Sequence, residues 1–252
     1  MTLFDLALNR TQPIHFWQSS EFIETWSADA LLAKARALSA QMQAEELETG
    51  DCVVLMLPTS IDLVASVLAA WGCGANVCIV AHTLGERAGE LDTLKVSHIF
   101  ELLKPKLIIH HRTEKQPFPQ SNARQINYRQ WENAPNSSTF PTKPQPNDLA
   151  LIQLTSGSTN YPKGVMLQHT HVLANTKALI KRVSITTQDH TVSWLPLYHD
   201  MGLSALLIPL TENFPVTLIP TEQFMRNPCV WLEAISRNVR LYQKPRPLHM
   251  RY

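Results

Sequence analysis

The apolar run Leu149-Ala150-Leu151-Ile152-Gln153-Leu154 leads directly into Thr155-Ser156-Gly157-Ser158-Thr159-Asn160-Tyr161-Pro162-Lys163-Gly164, and this stretch decides how the chain is read. Thr155, Ser156, Ser158 and Thr159 supply hydroxyl donors, and Lys163 supplies a positive charge. Gly157 and Gly164 lack the Cβ that would keep backbone N–H groups away from an anion. Such a composition suits neither a helix interior, a strand interior nor a core. It predicts a loop that wraps phosphate. Thr170 to Val183 has helical spacing at Leu173, Lys177, Ala178 and Ile180, with Thr170 as N-cap. The expected order is therefore strand, loop, helix, the arrangement that turns a helix N-terminus toward an anion. The loop is not of the G-x-x-x-x-G-K-[ST] type, because Pro162 stands where that pattern needs its second glycine and Gly164 follows Lys163. A flexible Ser/Thr linker is the competing reading, and the flanking apolar runs, Leu149 to Leu154 and Val165-Met166-Leu167, speak against it.

A second chemical stretch lies downstream, Val192-Ser193-Trp194-Leu195-Pro196-Leu197-Tyr198-His199-Asp200-Met201-Gly202. Together the two resemble motifs of the adenylate-forming (acyl-activating) enzymes. Residues 155–164 are similar to that family's T-S-G-[ST]-T-G-x-P-K-G loop, departing only at Asn160, where the family has glycine. Asn is the non-glycine residue that best tolerates a left-handed backbone. The W-L-P-x-x-H-D-M-G form of the second motif most resembles the fatty acyl-AMP ligase branch. A weaker similarity at 94–110 extends the likeness to most of the chain between Gly50 and Arg237.

Outward from these motifs, strand-like and helix-like segments alternate. Ser27 caps a helix expected over 28–48, with Leu31, Leu32, Ala35, Leu38, Met42 and Leu47 as its apolar stripe. Buried-type strands are expected at 52–57, 76–80 and 107–110, with helices over 61–71 and 86–103 between them. After the loop come a strand at 191–195, a helix over part of 201–210, a strand at 216–219 and a helix over 227–236. This alternation predicts an α/β fold of open, mainly parallel sheets flanked by helices, with both motifs just past the carboxyl ends of strands. The resemblance makes it an incomplete N-terminal region of the adenylate-forming fold, covering residues 1–237. Residues 116–147 carry Pro117, Pro119, Pro135, Pro141, Pro144 and Pro146 and read as a long irregular connection, either between two halves or as a surface excursion.

Composition narrows the function classes. With 252 residues, 44% of them hydrophobic, the chain can bury a sizeable core. A net charge of +1 and the absence of a basic patch interleaved with aromatics exclude a nucleic-acid partner. The apolar windows 61–71 and 202–210 are too short to span a bilayer, and residues 1–10 lack a signal-type start, so a cytoplasmic protein is expected. Cys52, Cys73, Cys78 and Cys229 lack zinc-ligand spacing and read as reduced core thiols, and no protein metal site is expected.

The resemblance implies a reaction: a fatty acid and ATP give acyl-AMP and pyrophosphate, for transfer to an acyl carrier protein or to CoA, with Mg2+ accompanying the triphosphate. It assigns Thr155, Ser156, Gly157, Ser158, Thr159 and Gly164 to the β- and γ-phosphates and Lys163 to charge neutralisation. It places His199 near the carboxylate and the α-phosphate. Trp194, Leu197, Tyr198 and Met201 fit either an acyl pocket or ordinary core, and Asp200 either orients His199 or caps the following helix. The family's adenine and ribose segments, hinge and lysine-bearing C-terminal domain have no counterpart here. Residues 238–252 read instead as a basic, proline-containing tail, expected to be disordered. The resemblance thus implies a truncated acyl-AMP ligase, with a non-catalytic binding module as the alternative.

Overall fold

The computed structural model describes residues 1–19, 23–83, 90–112, 121–155 and 162–241. Helix α1 (Leu3–Leu8) is closed by a capping box, in which the Thr2 hydroxyl accepts from the Asp5 N–H and the Asp5 carboxylate accepts from the Thr2 N–H. Strands β1 (Ile14–Trp17) and β2 (Ile23–Trp26) follow as an antiparallel pair. Ser27 then caps α2 (Ala28–Ala44), as its sequence predicts, and the expected stripe is buried. The helix stops short of residue 48 because the chain turns at Glu46, which takes a left-handed backbone (φ 59°) and returns Leu47 to the core.

The central α/β unit matches the periodicity closely. It comprises β3 (Cys52–Met56), α3 (Ile61–Gly72), β4 (Asn76–Ile79), α4 (Glu90–Leu103) and β5 (Leu107–His110). Every residue of β3, β4 and β5 is buried, which is why these strands read as continuous apolar runs rather than alternating ones. In β3, Val53 and Leu55 pack toward α2 and α3, while Cys52, Val54 and Met56 pack toward α4. Helices therefore cover both faces of the sheet.

The proline-rich connection is less irregular than its composition suggests. It contains β6 (Arg124–Asn127), parallel to β5, and a 3-10 turn (Tyr128–Trp131) that buries Tyr128 and Trp131. Periodicity misses β6 because only Ile126 of its four residues is buried. Further on, Phe140 lies against Gly72 and makes an edge contact with Phe4, pinning the segment onto the end of α3. Strands β7 (Leu149–Thr155) and β8 (Lys163–Gln168) complete a six-stranded sheet in the order β6-β5-β3-β4-β7-β8, parallel except for β8.

After α5 (His169–Val183), β9 (Thr191–Ser193) and β10 (Val216–Leu218) join β1 and β2 in a second sheet, ordered β2-β1-β10-β9, and α6 (Asp200–Glu212) runs between them. Ile14, Phe16, Val216 and Leu218 share one hydrophobic core with α3 and α6, so the two sheets meet over common side chains. Arg10 ties this junction together, donating to the carbonyls of Pro13, Pro209 and Phe214. Helices α7 (Thr221–Arg226) and α8 (Cys229–Leu241) close the described chain. Helix α8 continues through 238–241, the first part of the stretch expected to be an aperiodic tail, and residues 242–252 lie outside the described residues. Cys52, Cys73 and Cys78 are buried thiols as expected, whereas Cys229 is exposed, because it opens α8 on the outer side.

Candidate functional site

The anion loop is the connection of a β-hairpin. Thr155 pairs with Lys163 as the last rung of β7 and β8, and the Thr155 hydroxyl donates to the Lys163 carbonyl at 3.5 Å. The proposed phosphate contacts Ser156, Gly157, Ser158 and Thr159, like Asn160, lie outside the described residues. Of the loop's expected ligands, Thr155, Lys163 and Gly164 are placed. Lys163 and Thr155 are exposed at the mouth of the hairpin. Gly164 stands opposite Leu154 in the ladder, and a side chain there would run into Ile152, so packing as well as backbone access favours glycine.

This geometry corrects the strand-loop-helix reading. Val165-Met166-Leu167 is part of an extended strand that carries the chain about 20 Å away from the loop before α5 begins. The N-cap of α5 is Gln168 rather than Thr170. The first helical N–H groups are already satisfied at the far end of the hairpin, His169 donating to the Asp148 carbonyl (3.1 Å) and Thr170 to that of Pro146 (3.0 Å). The dipole of α5 therefore does not reach the mouth of the hairpin.

The histidine motif forms the turn from β9 into α6. The Pro196 carbonyl accepts from the His199 N–H (3.0 Å), the His199 carbonyl accepts from Leu203, and Leu197 is buried at 2% exposure in the main core. Of the two readings open for Leu197, the structure selects core. Gly202 packs under the Pro196 carbonyl so closely that a Cβ would collide with it, which explains the glycine at this place. The Asp200 carboxylate accepts from the backbone N–H of Met201 at the start of α6. His199 and Met201 are exposed, and the Tyr198 ring lies 4.7 Å from that of His199. Burial, reinforced by the charge of Glu222, pushes the Tyr198 phenol above its ordinary value and keeps it neutral.

One hydrogen bond joins the motifs. The Gln153 amide donates to the Tyr198 carbonyl at 2.8 Å. Gln153 and Thr155 share one face of β7, so the turn that carries His199 is moored two residues before the anion loop. Sequence reasoning missed Gln153, although a lone amide inside an apolar strand was a usable signal. It also missed α7, where Phe224 stacks on Trp194 (centroids 3.7 Å apart, planes at 2°) and the Thr221 hydroxyl donates to the Trp194 carbonyl. Trp194 thus packs toward α7 and the small cluster formed by Trp17, Ile219 and Ala234. Among the described residues, no three His, Cys, Asp or Glu side chains converge on a metal site.

The family model for the AMP-binding enzyme matches residues 10–241, which takes in both sheets and both motifs. The chain belongs to the AMP-binding enzyme family. Its fold is that of the adenylate-forming enzymes: a fatty acyl-adenylate ligase from L. pneumophila, solved with acyl adenylate and pyrophosphate, superposes with a TM-score of 0.81 at 27% identity. That match covers 94% of this chain and 43% of the other. The putative fatty-acid–CoA ligase fadD25 of Mycobacterium tuberculosis is 28% identical over 251 residues, 93% of this chain and 42% of its own length. The medium-chain-fatty-acid–[acyl-carrier-protein] ligase TtuA of Teredinibacter turnerae is 41% identical over 96 residues, 37% of this chain and 15% of its own. This AMP-binding chain therefore spans less than half the length of these relatives. No helix among its described residues is long and apolar enough to cross a membrane.

Proposed function

We propose that the cleft between the β7–β8 hairpin and the His199 turn activates a fatty acid with ATP, as part of a fatty acyl-AMP ligase. The single observation that supports the reading is the Gln153–Tyr198 hydrogen bond, which ties the turn carrying His199 to β7 two residues before Thr155. A carboxylate oxygen attacks the α-phosphorus, and the bond from that phosphorus to the bridging oxygen breaks. Pyrophosphate leaves with the electron pair, and acyl-AMP remains. The reaction brings anions together, so catalysis depends on alignment and charge neutralisation. Residues 155–164 hold the β- and γ-phosphates, with the Lys163 ammonium facing the charge that builds on pyrophosphate. His199 donates a hydrogen bond to the incoming carboxylate, and Tyr198 and Met201 border the acyl chain. The hard oxygens of the triphosphate would hold Mg2+, which would supply further charge neutralisation. The acyl group then passes to an acyl carrier protein, with CoA as the alternative acceptor, and the need for ATP suits a cytoplasmic location.

Complete turnover by these 252 residues alone is not expected, so the test is fatty-acid-dependent exchange of labelled pyrophosphate into ATP by a chain in which they are joined to the adenine, ribose and lysine segments of a relative. Exchange that requires both fatty acid and Mg2+ supports adenylate formation. Fatty-acid binding with no exchange makes the chain a binding module instead.

A further inference from the structure

Helix α7 makes contacts out of proportion to its six residues. Its Phe224 ring covers the Trp194 ring face to face, and its Thr221 hydroxyl holds the Trp194 carbonyl at 2.9 Å. The Glu222 carboxylate lies 3.4 Å from the imidazole Nε2 of His82, just past the end of β4 in the other sheet, and Gln223 donates to the Gln18 carbonyl after β1. The helix thus spans the carboxyl ends of both sheets. Trp194 is also where β9 becomes the turn that presents His199. That turn is moored by Trp194 on α7, by Leu197 in the core, by the Tyr198 carbonyl on Gln153 and by Gly202 under the Pro196 carbonyl. Only the first is made by an aromatic stack, in which Phe224 covers the face of the indole.

We infer that Phe224 is a positioning residue for the site: by clamping Trp194 it sets where Tyr198 and His199 stand in the cleft. The inference concerns the geometry of the turn, and its kinetic consequence rests on the fatty-acid reading above. Stacking needs a flat ring, so a leucine of similar apolar character fills the space without fixing the indole, whereas a tryptophan restores the face.

The test compares wild type with Phe224→Leu and Phe224→Trp, using the ring C–H resonances of His199, assigned by their loss in His199→Gln. Because the Tyr198 ring lies beside His199, a change in their arrangement moves these resonances through the ring current. The expected result is a shift in Phe224→Leu that Phe224→Trp reverses. Thermal unfolding shows whether each variant is folded, and unchanged His199 resonances in a folded Phe224→Leu overturn the proposal. In the kinetic arm, Phe224→Leu is expected to raise KM for fatty acid about five-fold, with KM for ATP little changed, as fits the loss of one aromatic pair. A purely structural role would lower activity without this split and without rescue. If wild type itself shows no fatty-acid-dependent exchange, the functional reading falls, and the resonances alone still decide the role of Phe224.

Discussion

The two halves of the site are built to different degrees of constraint. The hairpin end is an edge: Val165 and Met166 are 43% and 61% exposed, Lys163 is exposed, and the last described rung is a single Thr155–Lys163 pair. The His199 turn is held by a core leucine, a stacked tryptophan, a strand glutamine and a glycine pressed against a carbonyl. The difference teaches that the described ends of the hairpin are held by strand pairing alone, whereas the turn that bears the imidazole is placed by packing. Sequence chemistry is dense at the hairpin, and tertiary contacts are dense at the turn.

The comparison breaks most sharply at Gly202. Gly202→Val drives Cβ into the Pro196 carbonyl and should destabilise the chain by about 3 kcal/mol or more, read as a fall in the urea midpoint with loss of fatty-acid binding. Lys163→Ala should do the reverse. An exposed side chain at a hairpin mouth should leave stability within about 0.5 kcal/mol, while pyrophosphate exchange slows by roughly 100-fold, in the range seen when an electrostatic contact to developing charge is removed. Wild-type exchange in that variant removes Lys163 from the mechanism.

A pH series sharpens the contrast, because the buried His169 and the half-buried His190 sit in the packed scaffold and not at the mouth of the hairpin. His169 is fully buried against Trp71, and burial holds it at about 4; His190 is also at about 4 from burial and the neighbouring His15. A folded value below the unfolded value of about 6.5 means that the unfolded chain takes up protons first as pH falls. Stability should therefore be complete above about pH 6.5 and decline between pH 6.5 and 4, as followed by the urea midpoint. A midpoint that is flat through this window would show that these rings reach water. The smallest effect is expected at Asn160, where Asn160→Gly should leave exchange equal or modestly raised. A large loss there would mean that the loop does not adopt the glycine-compatible shape its sequence suggests.

Much of the central fold was legible because burial on both faces leaves a local trace. Cys52–Met56, Asn76–Ile79 and Leu107–His110 are short apolar runs between capped or amphipathic helices, and each became a parallel strand within a residue or so of its expected bounds. The motif residues were legible for the same local reason, since hydroxyls, glycines and a lysine have no business in a core. What stayed hidden depended on partners distant in sequence. Strand β6 owes its existence to the edge of β5, and β1 pairs with β10, Ile14 standing beside Val216. Gln153 gains its meaning from Tyr198, and Phe224 from Trp194.

The sequence by itself determined the alternating order of the central α/β unit, the Ser27 cap, the buried strand cores and the chemical character of the two motifs, because each follows from period, propensity and side-chain type within a few residues. Only the tertiary structure decided that the anion loop closes a hairpin instead of opening a helix, that two sheets share one core, and that α7 clamps the turn bearing His199. Those outcomes depend on which apolar faces and unpaired backbone groups find each other across long separations, and a local pattern does not name its partner.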